Sequence, residues 1–277
     1  MNKHTILIKT FDSKGLIYKI SNILYKYDLN IEYNSEFVDN KNNIFFMRTV
    51  VIGNFDQSML VKDLKLILDK NSFINIINDN KKDIVLFVTK EEHVIGDLLI
   101  RYISGALDVN IKAVISNHNI LKKLVDKFNI PFHHISCNNL TKQQHEETII
   151  ECLDLYEPYL IVLAKYMRIF SVDFVNKYTN KILNIHHSFL PSFIGSNPYK
   201  QAYDKGVKII GATAHIVTSN LDEGPIIYQD IIRIDHTYSL EKMKEYGKNV
   251  EKIVLSNALH LLIENRVFIN DNKTIIL

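Results

Sequence analysis

The run DIVLFVT, residues 83–89, is the first of a series of apolar stretches that fixes the fold class. VNIKAVIS (109–116), PFHHIS (131–136), YLIVLAK (159–165) and KILNIHH (181–187) repeat it, each separated from the next by a helical segment. Alternation of this kind predicts a mostly parallel sheet covered by helices on both faces. Further on, IIGATAHIVTS (209–219) and PIIYQDIIRI (225–234) read as longer strands, an antiparallel pair joined by NLDEG (220–224). A long helix follows over residues 239–265, and then a short tail.

Upstream of residue 83 the pattern differs. HTILIKT (4–10) reads as a strand, and Leu16, Ile20, Ile23, Leu24 and Tyr27 fall at helical spacing. NIEYNSEFV and NIFFMRTVVI read as two strands around a hairpin-like DNKN. A second amphipathic helix carries Leu60, Leu64, Ile67 and Leu68, and FINIIN closes the unit. The order βαββαβ is ferredoxin-like. The expected organisation is α/β: a ferredoxin-like unit over 1–80, the polar linker NDNKKD at 78–83, and a Rossmann-like domain over 84–277.

Composition narrows the function. The chain has 277 residues, 47% of them hydrophobic, enough for a large core. Lys and Arg number 33 against 31 acidic residues, interspersed, with no arginine-rich block to grip a nucleic acid. Two cysteines, Cys137 and Cys152, make neither a disulfide framework nor a zinc knuckle. MNKHTILIKTFD has no signal-peptide pattern, and no stretch reaches the roughly 20 apolar residues of a membrane span. A cytoplasmic protein that binds neither membrane nor nucleic acid is the expectation.

The polar residues that stand out lie where KILNIHH runs into SFLP. Side chains alternate along a strand, so Asn184 and His186 share one side while Ile185 packs on the other. Asp222 lies in the turn LDEG, where a carboxylate can orient a histidine or hold a water. An amide donor, an imidazole and a carboxylate suit acyl transfer from nitrogen. The same residues also suit hydrogen-bonded structural roles, and spacing alone leaves both readings open. His133, His134, His186, His187 and His215 lack a ligand spacing such as H-x-x-x-H, so no metal site is expected.

At these positions the sequence resembles the folate-dependent formyltransferase family. NIHHSFLP stands for its N-x-H strand end followed by Ser-Leu-Leu-Pro, and AHIVTSNLDEG for its H-x-V strand and D-x-G turn. LAKYMRIFS (163–171) is similar to the segment whose backbone reads the pterin ring. FFMR, VISNH, IPFHHI, NPYKQAY and GATAHIV extend the likeness over nearly the whole chain, nearest to members that hydrolyse rather than transfer. The N-terminal unit is similar to an ACT domain, which implies subunit pairing into a homo-oligomer and raises an amino-acid effector as a partner.

The resemblance implies hydrolysis of 10-formyltetrahydrofolate to formate and tetrahydrofolate, in one-carbon metabolism and purine synthesis, with the folate as substrate and no cofactor. It gives Asn184 the formyl oxygen, His186 the tetrahedral intermediate and protonation of N10, and Asp222 the attacking water. Met167, Arg168, Ile169 and Phe170, with Val217, Thr218 and Leu221, would line the pterin pocket, Arg168 as a ligand or as a solvated side chain. His215 would support the site from behind. Relatives that formylate a nucleotide amine carry a glycine-rich phosphate loop; here VTKEEHVIGDLL places Glu91 and Glu92 there, which argues for water as acceptor. His187 falls where those relatives carry proline, and so is a candidate for setting that choice. Formyl transfer to an amine, or a non-catalytic folate or amino-acid sensor, are the alternatives. DSKG has Lys14 where ACT domains carry proline, and YKYDLNI lacks their usual glycine, which weakens the case for an effector.

Overall fold

The computed structural model describes residues 2–192 and 197–277; residues 193–196, just beyond the NIHHSFLP motif, lie outside them. The chain forms two compact units. The first holds β1 (Lys3–Phe11), α1 (Leu16–Lys26), β2 (Asn30–Asp39), β3 (Ile44–Ile52), α2 (Gln57–Ile67) and β4 (Phe73–Asn78). Its sheet is antiparallel in the order β2-β3-β1-β4, the ferredoxin-like arrangement of an ACT-like domain. One face of that sheet and the apolar stripes of α1 and α2 share a core around Ile8, Ile20, Met47, Leu60 and Leu64. Asp56 caps α2 by accepting from the backbone N–H groups of Ser58 and Met59, an arrangement that contributes about 1 kcal/mol.

The chain's end belongs to this unit as well. The expected second domain ran to residue 277, yet 265–270 and 275–277 pack with the first unit. Phe268 and Leu277 are buried with Leu7 and Phe46 on the sheet face away from α1 and α2, and Phe268 meets Phe46 edge-on at 5.4 Å. The expected linker is also shorter, since Asn78 pairs with His4 and Lys82 pairs with Val109.

The second unit is a seven-stranded sheet in the order β11-β10-β9-β8-β5-β6-β7. Its strands are β5 (Lys82–Val88), β6 (Val109–Ser116), β7 (Phe132–His134), β8 (Leu160–Leu163), β9 (Ile182–His186), β10 (Ile209–Ile216) and β11 (Ile226–Arg233). β5 to β9 run parallel, and β10 and β11 are antiparallel, as the alternating and then paired runs predict. The helices are α3 (His93–Ile103), α4 (Lys122–Val125), α5 (Lys142–Asp154), α6 (Val172–Lys177), α7 (Pro198–Asp204) and α8 (Leu240–Ile263). Residues Ile84–Val88 and Leu160–Leu163 are buried without a break because both sheet faces are covered. Among the described residues no helix is long and apolar enough to cross a membrane.

Candidate active site

The site is built on β9 and β10, where His215 lies directly opposite Asn184 and Thr213 opposite His186. Opposed residues of an antiparallel pair share a face, so Asn184, His186 and His215 project together while Ile185 is buried behind. His215 Nδ1 donates to the carbonyl of Ile216 at 3.1 Å, which leaves Nε2 to accept from Asn184 Nδ2 at 3.2 Å. The amide is thus oriented by His215, with its second hydrogen left for another acceptor.

Asp222 reaches the same point by a return path. Because β10 runs against β9, the loop after Ile216 starts beside Ile182, where Val217 N–H donates to its carbonyl at 2.8 Å, and it must fold back over the sheet. Two residues make the return possible. A Cβ at Gly224 would lie 1.8 Å from the Ile216 carbonyl oxygen, so no other residue fits there. Asp222 itself adopts φ 57°, a left-handed conformation that Asp tolerates better than most residues. Its Oδ2 lies 3.4 Å from His186 Nδ1 and its Oδ1 3.7 Å from His215 Nε2. Burial pushes the carboxyl up, but the two neighbouring imidazoles, His186 first, outweigh it and hold the group below the ordinary carboxylate range. Asp222 is therefore ionised at neutral pH. His186 Nε2 is buried with no hydrogen-bond partner among the described residues, an orphan that a ligand would satisfy.

The chain after β9 is held by Thr213, whose hydroxyl donates to the Ser188 carbonyl and accepts from Leu190 N–H and Gln229 Nε2. Ser188 donates to the carbonyl of Ser192 at 2.9 Å and is buried, so it shapes the loop. The segment 167–170 is pinned at both ends. Met167 N–H donates to Thr89 Oγ1 at 2.9 Å, and Ser171 donates both its N–H and its hydroxyl to the buried Glu146 carboxylate. Phe170 stacks on Phe174 at 4.0 Å and on Tyr166 at 5.4 Å, so most of its ring serves packing. Met167, Ile169 and Leu221 keep more than half of their surface exposed.

One cleft of about 810 Å³, wholly within the second unit, brings these groups together. It is lined by Met167, Arg168, Ile169, Phe170, Asn184, His186, His215, Val217, Thr218, Leu221 and Asp222. The other histidine pair lies apart: β7 is four places from β9 in the sheet, and His133 is hydrogen-bonded to the Tyr156 hydroxyl at 2.7 Å. His187 lines the cleft beside His186, and burial, helped by the Lys165 charge, pushes its pKa down to about 4. It is a neutral imidazole at physiological pH.

The cleft also holds a cluster that the sequence reading passed over. Glu251 on α8, 1% exposed, accepts from the Tyr199 hydroxyl at 2.7 Å, contacts His93 Nε2 at 2.8 Å and pairs with the buried Lys165 ammonium at 3.2 Å. Burial raises its pKa, and these partners outweigh that and keep it ionised. Three local choices run against stability here. Lys165 sits at φ 66°, where a non-glycine residue costs of order 1–3 kcal/mol. Gly247 lies inside the 24-residue α8, where glycine costs roughly 0.5–1 kcal/mol relative to alanine. A Cβ at Gly247 would fall 2.1 Å from the Tyr199 hydroxyl oxygen, so the glycine seats that ring. Burying an ion pair costs several kcal/mol per ion before pairing, and an apolar filling is often as stable. A sequence signal did exist: Glu251 falls on the buried stripe of α8 with Met243, Gly247, Val250 and Val254.

The formyl transferase family model matches residues 82–259, the stretch that holds every group described above. The chain is similar along its full length to formyltetrahydrofolate deformylase of Haemophilus influenzae, 51% identical over 277 residues and covering 100% of both chains. Among solved structures, the formyltetrahydrofolate deformylase of Pseudomonas syringae superposes with a TM-score of 0.95 at 36% identity, covering 100% of this chain and 95% of the other. Glycinamide ribonucleotide transformylase 1 of Symbiobacterium toebii superposes with a TM-score of 0.69 at 26% identity, covering 73% of this chain and 96% of its own. The chain belongs to the formyl transferase family, and the two full-length relatives named above are formyltetrahydrofolate deformylases.

Proposed function

We propose that this protein hydrolyses 10-formyltetrahydrofolate to formate and tetrahydrofolate, acting on a linear amide C–N bond. The observation that carries the reading is the convergence of the Asn184 amide, the unpartnered His186 Nε2 and the ionised Asp222 at one point of the cleft. The full-length likeness to deformylases supports water as the acceptor.

In this mechanism Asn184 donates its remaining amide hydrogen to the formyl oxygen. Asp222 orients a water molecule, whose oxygen attacks the formyl carbon as its proton passes, by way of Asp222, to His186. The oxyanion that develops is stabilised by the amide and by His186, the kind of donor whose loss typically costs about 10²–10³ in rate. The bond from carbon to N10 breaks, N10 takes a proton through His186, and formate leaves. Met167 to Phe170 and Val217 to Leu221 hold the pterin, largely through backbone groups, with Arg168 at the solvent side.

No cofactor is required, because the folate brings the reacting carbon and water the oxygen. The reading places the enzyme in the cytoplasm, supplying formate and balancing folate pools for purine synthesis. The ACT-like unit would pair copies of the chain into a homo-oligomer and offer a place for an amino-acid effector. The outer edge of β2, which has no neighbouring strand among the described residues and leaves Ile31, Tyr33 and Phe37 exposed, supports the pairing. Turnover in water labelled with heavy oxygen tests the chemistry: formate should acquire one labelled oxygen, and unlabelled formate would rule out attack by water.

A further inference from the structure

The Glu251 cluster has no part in the reaction just described, and its position in the cleft gives it a separate role. Asp222 comes in on a loop that starts at the Ile216 end of β10. Lys165 and His93 instead follow the carboxyl ends of the parallel strands β8 and β5. A row of rings joins the two: His186 to His187 at 5.4 Å, His187 to Tyr199 at 5.9 Å, and the Tyr199 hydroxyl on Glu251. The cluster therefore stands beside the reacting centre, on the side that His93 brings in from the turn after β5.

We propose that Lys165, Tyr199 and Glu251 close the side of the cleft from which an amine would approach the formyl carbon, leaving room for water. The inference rests on the hydrolytic reading and deepens it by assigning the residues that determine the acceptor. An amine brings substituents that need the volume of the Tyr199 ring. Moving that ring strips a hydrogen bond from a buried carboxylate, and moving Lys165 strips its counter-charge. Water needs neither displacement. The features that hold the cluster, a left-handed lysine and a mid-helix glycine under the tyrosine ring, work against local stability. Such choices collect where function requires them.

The test supplies 10-formyltetrahydrofolate together with millimolar glycinamide, a small primary amine, and reads formate and N-formylglycinamide in one reaction by mass spectrometry. In the transfer reaction the amine nitrogen attacks the formyl carbon and loses a proton, the bond to N10 breaks, and N10 gains a proton. The parent should yield formate almost alone. The double variant Lys165→Gly with Glu251→Gln suits the backbone at residue 165 and leaves no unpaired charge. Its ratio of formylglycinamide to formate should rise about tenfold or more, the usual effect of opening or closing a small pocket. Tyr199→Phe, which keeps the ring, should raise the ratio about two- to fivefold through the lost hydrogen bond. An unchanged ratio in the folded double variant overturns the proposal; if that variant does not fold, an unchanged ratio in Tyr199→Phe does so. A parent that releases no formate would refute the hydrolytic reading itself, a result distinct from a flat ratio.

Discussion

Asp222 and Glu251 line the same cleft, both ionised and both against histidine rings, but they are held differently. Glu251 sits on a long helix with three partners between 2.7 and 3.2 Å. Asp222 sits on a short loop in a left-handed conformation, with its two ring contacts at 3.4 and 3.7 Å. A saturated carboxylate on a rigid element fills space and resists displacement. One with long contacts keeps lone pairs for a ligand, and the orphaned His186 Nε2 beside it points the same way. In the proposed reaction the cleft has a reactive end and a closed end, each marked by its carboxylate.

Changes at the two ends should therefore fail in different ways. At the reactive end, Asn184→Ala should lower kcat by about 10²–10³ while thermal unfolding moves little, because the amide acts on the developing oxyanion. Steady-state kinetics with a melting curve separates the two effects. At the closed end, Glu251→Ala leaves the buried Lys165 ammonium without its partner and should destabilise the protein by about 3–5 kcal/mol. Calorimetry that finds the parent's stability would contradict the buried pair. Gly247→Ala drives a methyl group into the Tyr199 ring and should cost about 1–3 kcal/mol, although alanine is the better helix former. A stabilised Gly247→Ala would show that the ring does not rest on that helix.

The smallest effect is a pH dependence at the ring that joins the two ends. His187 is neutral in the folded protein, its pKa about 4 against an ordinary 6.5, faced by Lys165, Glu251, His186 and Asp222. The unfolded chain binds this proton first as pH falls. The stability His187 contributes is thus complete above about pH 6.5 and lost progressively towards pH 4. Melting temperatures of His187→Gln should fall less steeply across that window than the parent's, and equal slopes would remove His187 from the account.

These contrasts also explain what the sequence disclosed. Apolar runs such as DIVLFVT and YLIVLAK are legible because central strands of a covered sheet are buried on both faces. Asn184, His186 and Asp222 were legible because two lie within three residues and the third in a turn marked by Gly224. Their meeting was harder to read, since it depends on β10 running antiparallel and its loop folding back across the sheet. The closed end was hidden by separation: His93, Lys165, Tyr199 and Glu251 each read alone as an ordinary polar residue. The tail was hidden for a related reason. VFIN and TIIL are short apolar runs, and the sheet that buries Phe268 and Leu277 lies more than 200 residues earlier.

The central claim is hydrolysis at Asp222. Formate release from 10-formyltetrahydrofolate, with no amine present, should be measured for the parent and for Asp222→Asn. The account predicts steady release by the parent and a loss of about 10²-fold or more in the variant, with folate binding kept. Equal release by both proteins, or none from the parent until an amine is supplied, would contradict it.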